Sequence, residues 1–436
     1  MVAGCCDGTN TMTLLADLLS SIFDRRYRTF LPGSSDNRPM EELTAALLGA
    51  SGEVSGSTIA RIILDRYETA EEDEKLSFFQ HLAEDMAVSP QDLRAALETY
   101  EKGQTKTSYE TLVRAAEPRR QELIRRLNQV PDATRSLVAM RADLLRFSKE
   151  DDALQALNVD FGHLFASWFN RGFLVLRPIN WESPANILEK IIEYEAVHAI
   201  DSWDDLRRRL QPADRRCFAF FHPTMPDEPL IFVEVALTKG VPSSIQGLLS
   251  EEREHIEAED ANTAVFYSIS NCQKGLAGIS FGNSLIKQVA ADLSLELPGL
   301  KTFVTLSPIP GFRNWIDKND LGPLPDDPKQ LKALAAHYLI AAKRRNGLPL
   351  DPVARFHLGN GAQVFQVHAD ADLSEKGQQQ SAGVMVNYLY NLSKVSQNHE
   401  RFATSHEIAA SSDIKSLSAA AEKTLNRSPT DGQPAL

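Results

Sequence analysis

The sequence predicts a two-domain protein, in which an all-α helical bundle precedes an α/β (α+β) domain with a mixed central sheet. A chain of 436 residues exceeds the size at which a single hydrophobic core is usual. Residues 11–168 carry apolar side chains at helical spacing. Beyond Gly172, short runs of β-branched and aromatic residues alternate with helical segments. The predicted domains are therefore residues 1–170 and residues 171–436, the second ending in a helical tail.

Each predicted helix of residues 1–170 depends on apolar periodicity or on a terminal signal. Apolar groups at helical spacing are Leu14, Leu15, Leu18, Leu19 and Phe23, then Ile59, Ile62, Ile63 and Tyr67, then Leu76, Phe79 and Leu82. Ser89 followed by Pro90 predicts another helix start, because serine caps a helix and proline fits its first turn. Two more helices are predicted at residues 109–130 and 134–148, with Pro118 kinking or dividing the first.

The second domain is predicted from its alternating strand and helix patterns. Predicted strands are residues 173–177, 217–221, 230–236, 263–270, 301–306 and 362–368. Predicted helices are residues 185–194, 203–210, 284–293, 328–345 and the Ala/Ser-rich tail after Thr404. Residues 223–229 are predicted to form the turn of an antiparallel hairpin, since they contain three prolines.

Charge and cysteine content narrow the function classes. A net charge of −13 and a pI near 5.3 argue against general nucleic-acid binding, which usually needs a basic face. Cys5, Cys6, Cys217 and Cys272 have neither zinc-site spacing nor the density of a disulfide scaffold, which favours a reducing compartment. No membrane span, signal peptide or peroxisomal tripeptide is recognised. The expected location is cytoplasmic, without membrane or nucleic-acid partners.

A strand, a glycine-rich turn and a helix follow one another within residues 262–312. Gly275, Gly278 and Gly282 punctuate the turn, and an apolar-periodic helix follows Asn283. Glycines let backbone amides approach a ligand, and a helix N-terminus favours negative charge, so this turn could hold a phosphate. The alternative is a tight connection without a ligand, which is the commoner use of such turns.

Two side chains stand out as candidate site residues. Ser307 precedes two prolines and a glycine, which fix the backbone at the end of a predicted strand. His357 lies between apolar neighbours and a Gly-Asn-Gly turn. Each has a purely structural interpretation, because serine before proline often caps a turn and a lone histidine is usually a satisfied structural group.

Several longer strings, taken together, resemble the malonyl-CoA decarboxylase family. The strings are residues 266–270 (Phe-Tyr-Ser-Ile-Ser), 275–278 (Gly-Leu-Ala-Gly), 306–312 (Leu-Ser-Pro-Ile-Pro-Gly-Phe) and 356–362 (Phe-His-Leu-Gly-Asn-Gly-Ala). Shorter similar strings are residues 158–162, 195–198, 215–217, 228–230 and 235–238. The resemblance covers nearly the whole chain and is densest from residue 158 to residue 390. Long strings in a fixed order are more specific than a short motif.

The resemblance implies a GNAT-like second domain, in which the loop between the central strand and its helix binds the pyrophosphate of coenzyme A through backbone amides. The loop residues are Ala277, Gly278, Ile279, Ser280, Phe281, Gly282 and Asn283. Ala277 stands where the fold often has Gln or Arg, and Ser280 stands where glycine, or in some decarboxylases glutamate, is common. These differences affect side-chain contacts, whereas the backbone donors remain available.

The resemblance also implies an activity and two catalytic residues. Malonyl-CoA would lose its carboxylate as CO₂ and give acetyl-CoA through a thioester enolate, with Ser307 and His357 as the pair that carries the reaction. His357 would donate to the developing enolate or protonate C2, and Ser307 would be its partner or hold the malonyl carboxylate. The thioester is the electron sink, so no cofactor and no metal are expected beyond the coenzyme A of the substrate.

Further residues are weaker candidates. His222, Asn360 and Tyr388 are possible pocket residues, although each also has a structural interpretation. Predicted structural residues are His198, His368 and Cys272, and Tyr267 is predicted to be a core or pocket-wall residue. Ser268 and Ser270 are predicted to satisfy local hydrogen bonds on a buried strand, although either could face the thioester. In the family that the chain resembles, the helical domain serves oligomerisation, so a homodimer or tetramer is expected.

Two other functions remain open at the level of sequence. The GNAT fold would also suit an N-acetyltransferase that uses acetyl-CoA and releases free thiol. A non-catalytic acyl-CoA-binding protein would bind malonyl-CoA unchanged.

Overall fold

The computed structural model describes residues 36–279 and 285–425, and they form two compact units. The first unit contains the described residues up to Val175 together with Phe221–Glu228 and Gln273–Ile279. The second unit contains Leu176–Phe220, Pro229–Cys272 and residues 285–425. The predicted helix around Leu14–Phe23 and the cysteines Cys5 and Cys6 lie outside the described residues.

The first unit is built from helices, as the sequence predicts. They are α1 (Met40–Gly49), α2 (Glu53–Thr69), α3 (Glu72–Glu84), α4 (Pro90–Lys102), α5 (Lys106–Ala116), α6 (Arg119–Leu127), α7 (Ala133–Phe147) and α8 (Asp152–Trp168). The Ser89 hydroxyl accepts the amide of Asp92 at 3.3 Å and caps α4 as predicted. Pro118 divides the predicted helix of residues 109–130 into α5 and α6, because it cannot donate a helical hydrogen bond.

Buried aromatic side chains and one ion pair hold these helices together. Phe161 and Phe165 of α8 are fully buried, with ring centroids 5.7 Å apart. The Arg120 guanidinium of α6 donates to Asp160 Oδ2 of α8 at 2.6 Å in the same buried region. A buried charge needs such a partner, so this pair links two helices distant in sequence.

The remaining elements form a mixed sheet flanked by helices. The strands are β1 (Val175–Ile179), β2 (Arg215–His222), β3 (Met225–Thr238), β4 (Thr263–Asn271), β5 (Thr302–Thr305), β6 (Ser307–Pro308), β7 (Gln363–His368) and β8 (Met385–Leu389). Their order is β1-β2-β3-β4-β5-β8-β6, with β7 also paired to β8. The further helices are α9 (Ala185–Tyr194), α10 (Trp203–Leu210), α11 (Ile245–Leu249), α12 (Leu285–Glu296), α13 (Phe312–Lys318), α14 (Pro328–Ile340), α15 (Pro352–Gly359), α16 (Glu375–Ser381), α17 (Val395–Ser405) and α18 (Ser412–Leu425).

The centre of the sheet is a parallel pair with a bulge beside it. β4 and β5 pair in parallel from Thr263↔Thr302 to Phe266↔Thr305, whereas β3 and β4 are antiparallel. The register of β3 against β4 shifts between Glu234 and Val235. β4 continues to Asn271, beyond its pairing with β5, which ends at Thr305. This mixed sheet after a helical region confirms the predicted architecture, in which an all-α part precedes an α/β (α+β) domain with a mixed central sheet.

Three predicted boundaries are wrong. The turn of residues 223–229 is confined to Pro223 and Thr224, because β3 already begins at Met225 and its pairing with β4 starts only at Ile231. Proline is tolerated there, away from the β4 ladder. α14 ends at Ile340 rather than residue 345, since the chain turns back and Arg344 donates to the Leu348 carbonyl at 2.8 Å. The first strand is residues 175–179, after a 3₁₀ turn at 171–173.

Side chains of the sheet separate into two faces. One face packs an apolar cluster that includes Val304 and Leu306 from the β5–β6 segment and Met385 from β8. Because side chains alternate along extended chain, Thr305 and Ser307 point to the opposite face. The candidate site lies on that second face.

Candidate active site

Ser307 is held on a two-residue strand directly after β5. β6 pairs with β8 through Ser307↔Val386, and the preceding residue, Leu306, donates its amide to the Phe266 carbonyl at 3.0 Å. Ser307 is 6% exposed. The sequence predicts a strand-end loop at this position, and the structure instead fixes Ser307 by strand pairing on one side and by Pro308 on the other.

His357 lies in the last turn of α15. The Asp351 carboxylate accepts the Ala354 amide at 2.8 Å and Pro352 occupies the first position, so the helix start is capped. The helix ends at the Gly-Asn-Gly turn, where Ala362 donates to the His357 carbonyl at 3.1 Å. Gly361 has φ +83°, and an added Cβ would lie 2.0 Å from the Val395 carbonyl oxygen. Only glycine fits there, which explains the turn that follows His357.

A line of hydrogen bonds joins the two candidate catalytic residues to two others. His357 Nε2 lies 3.1 Å from Ser307 Oγ, and His357 Nδ1 lies 2.9 Å from the Tyr390 hydroxyl oxygen. The Ser307 hydroxyl donates to Thr305 Oγ1 at 2.8 Å. All four side chains are buried. The geometry thus brings Ser307 and His357 into direct contact.

The ring of Tyr388 forms one wall of the site. It stacks on the His357 imidazole with centroids 4.4 Å apart and planes inclined by 23°. The Tyr388 hydroxyl oxygen is buried without a hydrogen-bond partner among the described residues. Tyr388 therefore contacts the candidate catalytic histidine through its ring rather than through its hydroxyl.

Burial controls the charge states of the site. It lowers the pKa of His357 to about 3, so the imidazole is neutral near pH 7. Burial also raises the pKa of Tyr390 well above its usual value, which keeps the phenol protonated. The pKa of Asp351 rises to about 6 for the same reason, although amide donors at the start of α15 oppose the rise. The Ser–His pair is consequently uncharged.

Sequence reasoning missed Thr305 and Tyr390 as members of this site. Thr305 is two residues before Ser307, and Tyr390 is two residues after Tyr388, so alternation along extended chain places each pair on one face. The two-residue spacing within each pair was the feature of the sequence that could have identified Thr305 and Tyr390. Strand β8 itself was not predicted, and without it Tyr390 had no predicted position in the sheet.

The predicted pyrophosphate loop is only partly described. Ala277, Gly278 and Ile279 belong to the first compact unit, whereas Ser280, Phe281, Gly282 and Asn283 lie outside the described residues. The amides of Ala277 and Ile279 donate within the turn, to Lys274 and Leu276 carbonyls at 3.1 and 3.0 Å. Gly278 has φ +77°, which suits a glycine turn.

The other predicted candidates have local partners. His222, in the first unit, contacts the Thr224 hydroxyl at 2.7 Å and the Trp168 carbonyl at 3.1 Å. The Asn360 amide donates to the Phe356 carbonyl at 2.7 Å and closes the end of α15. His368 Nε2 lies 2.6 Å from the Asn387 side-chain oxygen. Local hydrogen bonds therefore fix all three side chains, and the placement of His222 and Asn360 in the pocket stays a prediction.

The remaining polar candidates of the sheet are also engaged or buried. The Ser268 hydroxyl contacts the Glu195 carboxylate at 2.7 Å, and the Ser270 hydroxyl contacts it at 3.4 Å. Cys272 and Tyr267 are buried, and burial lowers the pKa of His198 to about 4. None of the contacts described for these residues reaches Ser307 or His357.

Within residues 36–279 and 285–425, no three His, Cys, Asp or Glu side chains are grouped as metal ligands. No helix in the same part is long and apolar enough to cross a bilayer.

A cavity of about 400 Å³ is lined by Lys332, His368 and neighbouring residues, and its lining does not include Ser307 or His357.

Fold and site together define a protein with an N-terminal helical region and an α/β domain whose mixed sheet carries a buried Ser–His pair. The family model of the malonyl-CoA decarboxylase C-terminal domain matches residues 172–324 and 326–428, and that of the N-terminal domain matches residues 86–169. The chain belongs to the malonyl-CoA decarboxylase family. The predicted family and enzyme class, a carboxy-lyase, are thereby confirmed.

Individual relatives agree with this assignment. The chain is 35% identical over 358 residues to a mitochondrial malonyl-CoA decarboxylase of Anser anser anser, covering 69% of each chain. It is 50% identical to the crystal structure of malonyl-CoA decarboxylase from Rhodopseudomonas palustris, with a TM-score of 0.82 and coverage of 86% of this chain and 98% of that one. The Agrobacterium vitis structure gives the same identity and TM-score, with coverage of 87% and 99%.

Proposed function

We propose that the protein decarboxylates malonyl-CoA to acetyl-CoA and CO₂, with His357 and Ser307 as its catalytic residues. The observation that carries the proposal is the buried contact of 3.1 Å between Ser307 Oγ and His357 Nε2 in a chain of this family. Hydrogen-bond donors fixed in a water-poor site stabilise developing charge far better than solvent does.

Decarboxylation requires a group that accepts the electron pair of the broken bond and a donor that supplies a proton to C2. The bond between C2 and the carboxylate breaks, CO₂ leaves, and the electron pair enters the thioester as an enolate. C2 then takes up one proton, which solvent ultimately replaces. Protein groups contribute by stabilising charge on the thioester oxygen and by delivering that proton.

His357 is proposed to donate to the enolate oxygen or to protonate C2. Burial keeps the ring neutral, so a proton on Nε2 is a hydrogen-bond donor that does not require prior charging of the imidazole. Ser307 is proposed either to hold the malonyl carboxylate out of the thioester plane or to transmit the hydrogen bond of His357. The ring of Tyr388 shields one face of the imidazole.

Three further features belong to the proposal. The thioester accepts the electrons, so the reaction as written requires neither a metal nor an organic cofactor. Residues 277–283 are proposed to bind the coenzyme A pyrophosphate through backbone amides other than those of Ala277 and Ile279, which donate within the turn. The protein is proposed to be a cytoplasmic homo-oligomer that assembles through its helical unit.

The test is to mix the protein with malonyl-CoA and a metal chelator and to follow acetyl-CoA, CO₂ and free thiol together. We expect acetyl-CoA and CO₂ in equal amounts without thiol release. His357→Ala should lower kcat by about 10²- to 10⁴-fold, the usual range for positioned acid–base catalysis. His163→Ala, which changes an exposed histidine of α8, serves as the matched control and should retain activity.

Other outcomes identify the competing functions. Thiol release that depends on an added amine would indicate an acyltransferase. Binding of malonyl-CoA without turnover would indicate an acyl-CoA-binding protein. Activity that is lost with chelator and restored by a metal would contradict the proposed cofactor independence while leaving the decarboxylase activity itself in place.

A further inference from the structure

Thr305 is a buried side chain whose hydroxyl faces the candidate catalytic pair. It is fully buried at the end of β5. Its Oγ1 accepts the hydroxyl proton of Ser307 at 2.8 Å and the backbone amide of Tyr388 at 3.1 Å. The amide of Tyr388 is fixed by the pairing of β8, so the Thr305 oxygen is anchored to the sheet. It therefore presents an immobile acceptor to Ser307.

The direction of the hydrogen bond from Ser307 to Thr305 determines the direction of the hydrogen bond between Ser307 and His357. A serine hydroxyl has a single proton, and a proton given to Thr305 Oγ1 is not available to His357 Nε2. The 3.1 Å contact between Ser307 and His357 is then completed by Nε2–H donating to Ser307 Oγ. Ser307 acts as an acceptor toward the histidine rather than as a donor.

The hydrogen bond at Nδ1 of His357 is also consistent with a proton on Nε2. A neutral imidazole with its proton on Nε2 has an acceptor at Nδ1. The Tyr390 hydroxyl lies 2.9 Å from Nδ1 and is able to donate to it. Both ring nitrogens of His357 and the hydroxyls of Tyr390 and Ser307 thereby have partners in one consistent direction, as expected for buried polar groups.

We propose that Thr305 is a positioning residue which, by accepting the Ser307 proton, holds His357 in the tautomer with its proton on Nε2. This inference rests on the proposed function, because its catalytic value is that the Nε2 proton points toward Ser307 and the reacting carbon or enolate. Thr305 acts through Ser307 and does not touch substrate itself. In the reversed arrangement, Ser307 would donate to an unprotonated Nε2, and the ring could not donate toward the substrate.

The first experiment measures the tautomer directly. The protein is labelled with ¹⁵N-histidine, and the His357 signals are assigned by their absence in His357→Gln. Nitrogen chemical shifts distinguish a protonated from an unprotonated ring nitrogen. We expect the proton on Nε2 in the wild type. In Thr305→Val the Ser307 proton is free to move to Nε2, so we expect the ring proton to shift to Nδ1.

The second experiment measures turnover of malonyl-CoA by the same variants. Thr305→Val should lower kcat about tenfold, as expected when one buried hydrogen bond is lost, and should leave KM within about twofold. Thr305→Ser retains the hydroxyl and should restore both kcat and the Nε2 tautomer. Thr263→Val is the matched control, because Thr263 is equally buried on β4 and its hydroxyl donates to Asn262 at 2.7 Å. Thermal unfolding of each variant checks that it is folded.

A wild-type ring protonated on Nδ1 would overturn the inference, and so would an unchanged tautomer in Thr305→Val. A kcat for Thr305→Val no lower than that for Thr263→Val would also overturn it. If the wild type does not decarboxylate malonyl-CoA, the proposed function fails. The nitrogen shifts still decide the role of Thr305 in that case, because they require no turnover.

Discussion

The hydroxyl groups of Tyr388 and Tyr390 differ in their surroundings although both side chains are buried beside His357. The Tyr390 hydroxyl lies 2.9 Å from His357 Nδ1, whereas the Tyr388 hydroxyl has no hydrogen-bond partner among the described residues. Removing a partner from a buried acceptor costs roughly 1–3 kcal/mol, while removing an unpartnered hydroxyl removes a penalty. The two tyrosines therefore form a matched pair for substitution.

Tyr390→Phe is expected to lower the free energy of unfolding by about 1–3 kcal/mol and to lower kcat, because Nδ1 loses its donor and the ring its orientation. Tyr388→Phe keeps the stacked ring and should leave both quantities nearly unchanged or raise stability slightly. Urea unfolding and steady-state kinetics measure the two effects. Equal losses of stability and kcat in both variants would contradict this prediction, because they would show that the Nδ1 hydrogen bond does not determine either quantity.

The neutral state of His357 makes stability depend on pH in a defined direction. Burial lowers its pKa from the ordinary histidine value of 6.5 to about 3 in the folded protein, so between these pH values the unfolded chain binds a proton that the folded protein does not. The contribution to stability is complete above pH 6.5 and is lost as pH falls toward 3. Between pH 7.5 and pH 5 this amounts to about 2 kcal/mol.

Comparison of wild type with His357→Gln isolates this effect, since the remaining titrating groups are shared. We expect the wild type to lose about 2 kcal/mol more than the variant between pH 7.5 and pH 5 in urea unfolding. A parallel pH dependence in the two proteins would contradict the low pKa. The same low pKa predicts no inflection of kcat near pH 6.5 from this residue.

The end of helix α15 places His357, and its geometry depends on Gly361. An added Cβ would lie 2.0 Å from the Val395 carbonyl oxygen, in addition to the cost of φ +83°. Gly322 has nearly the same angle, φ +82°, but open space around it. The backbone cost alone is roughly 1–2 kcal/mol, so Gly322→Ala measures strain without a steric clash.

Gly361→Ala is expected to destabilise the protein by at least about 1 kcal/mol more than Gly322→Ala, because the backbone of α17 must move to accommodate the methyl group. It should also lower kcat, since movement at residue 361 displaces the end of α15. Thermal unfolding and kinetics of both variants provide the measurement. If the two variants lose equal stability, the close approach to Val395 is not a constraint.

Elements with strong local signals were predictable, whereas strand β8 and the exact ends of some elements were not. Helices α9 and α10 have the predicted bounds, and the cap at Ser89 is correct, because periodicity and capping act over a few residues. The start of β3 at Met225 was misplaced because prolines are tolerated in the part of the strand that does not pair with β4. The end of α14 was misplaced because apolar periodicity did not show that the chain turns back at Arg344 and Leu348. Ser307 and His357 were found through long strings, whereas Thr305 and Tyr390 required the sheet register.

At the scale of the whole molecule, the helix pair α4–α5 carries an apolar surface that the other described residues leave exposed. Leu97, Tyr109 and Val113 are 44%, 56% and 47% exposed. The rings of Tyr100 and Tyr109 pack together with centroids 6.1 Å apart, which joins the two helices along this side. Adjacent exposed apolar side chains are typical of a protein interface.

We expect a second copy of the chain to cover this surface, in agreement with the oligomer predicted for the helical domain. The double variant Leu97→Glu, Val113→Glu should reduce the mass measured by sedimentation velocity toward that of the 48.3 kDa chain, because burying two carboxylates opposes association. Val54→Glu changes a residue that is 76% exposed on α2 and should leave the mass unchanged. A wild type that sediments as a monomer, or a double variant with the wild-type mass, would exclude this surface as the interface.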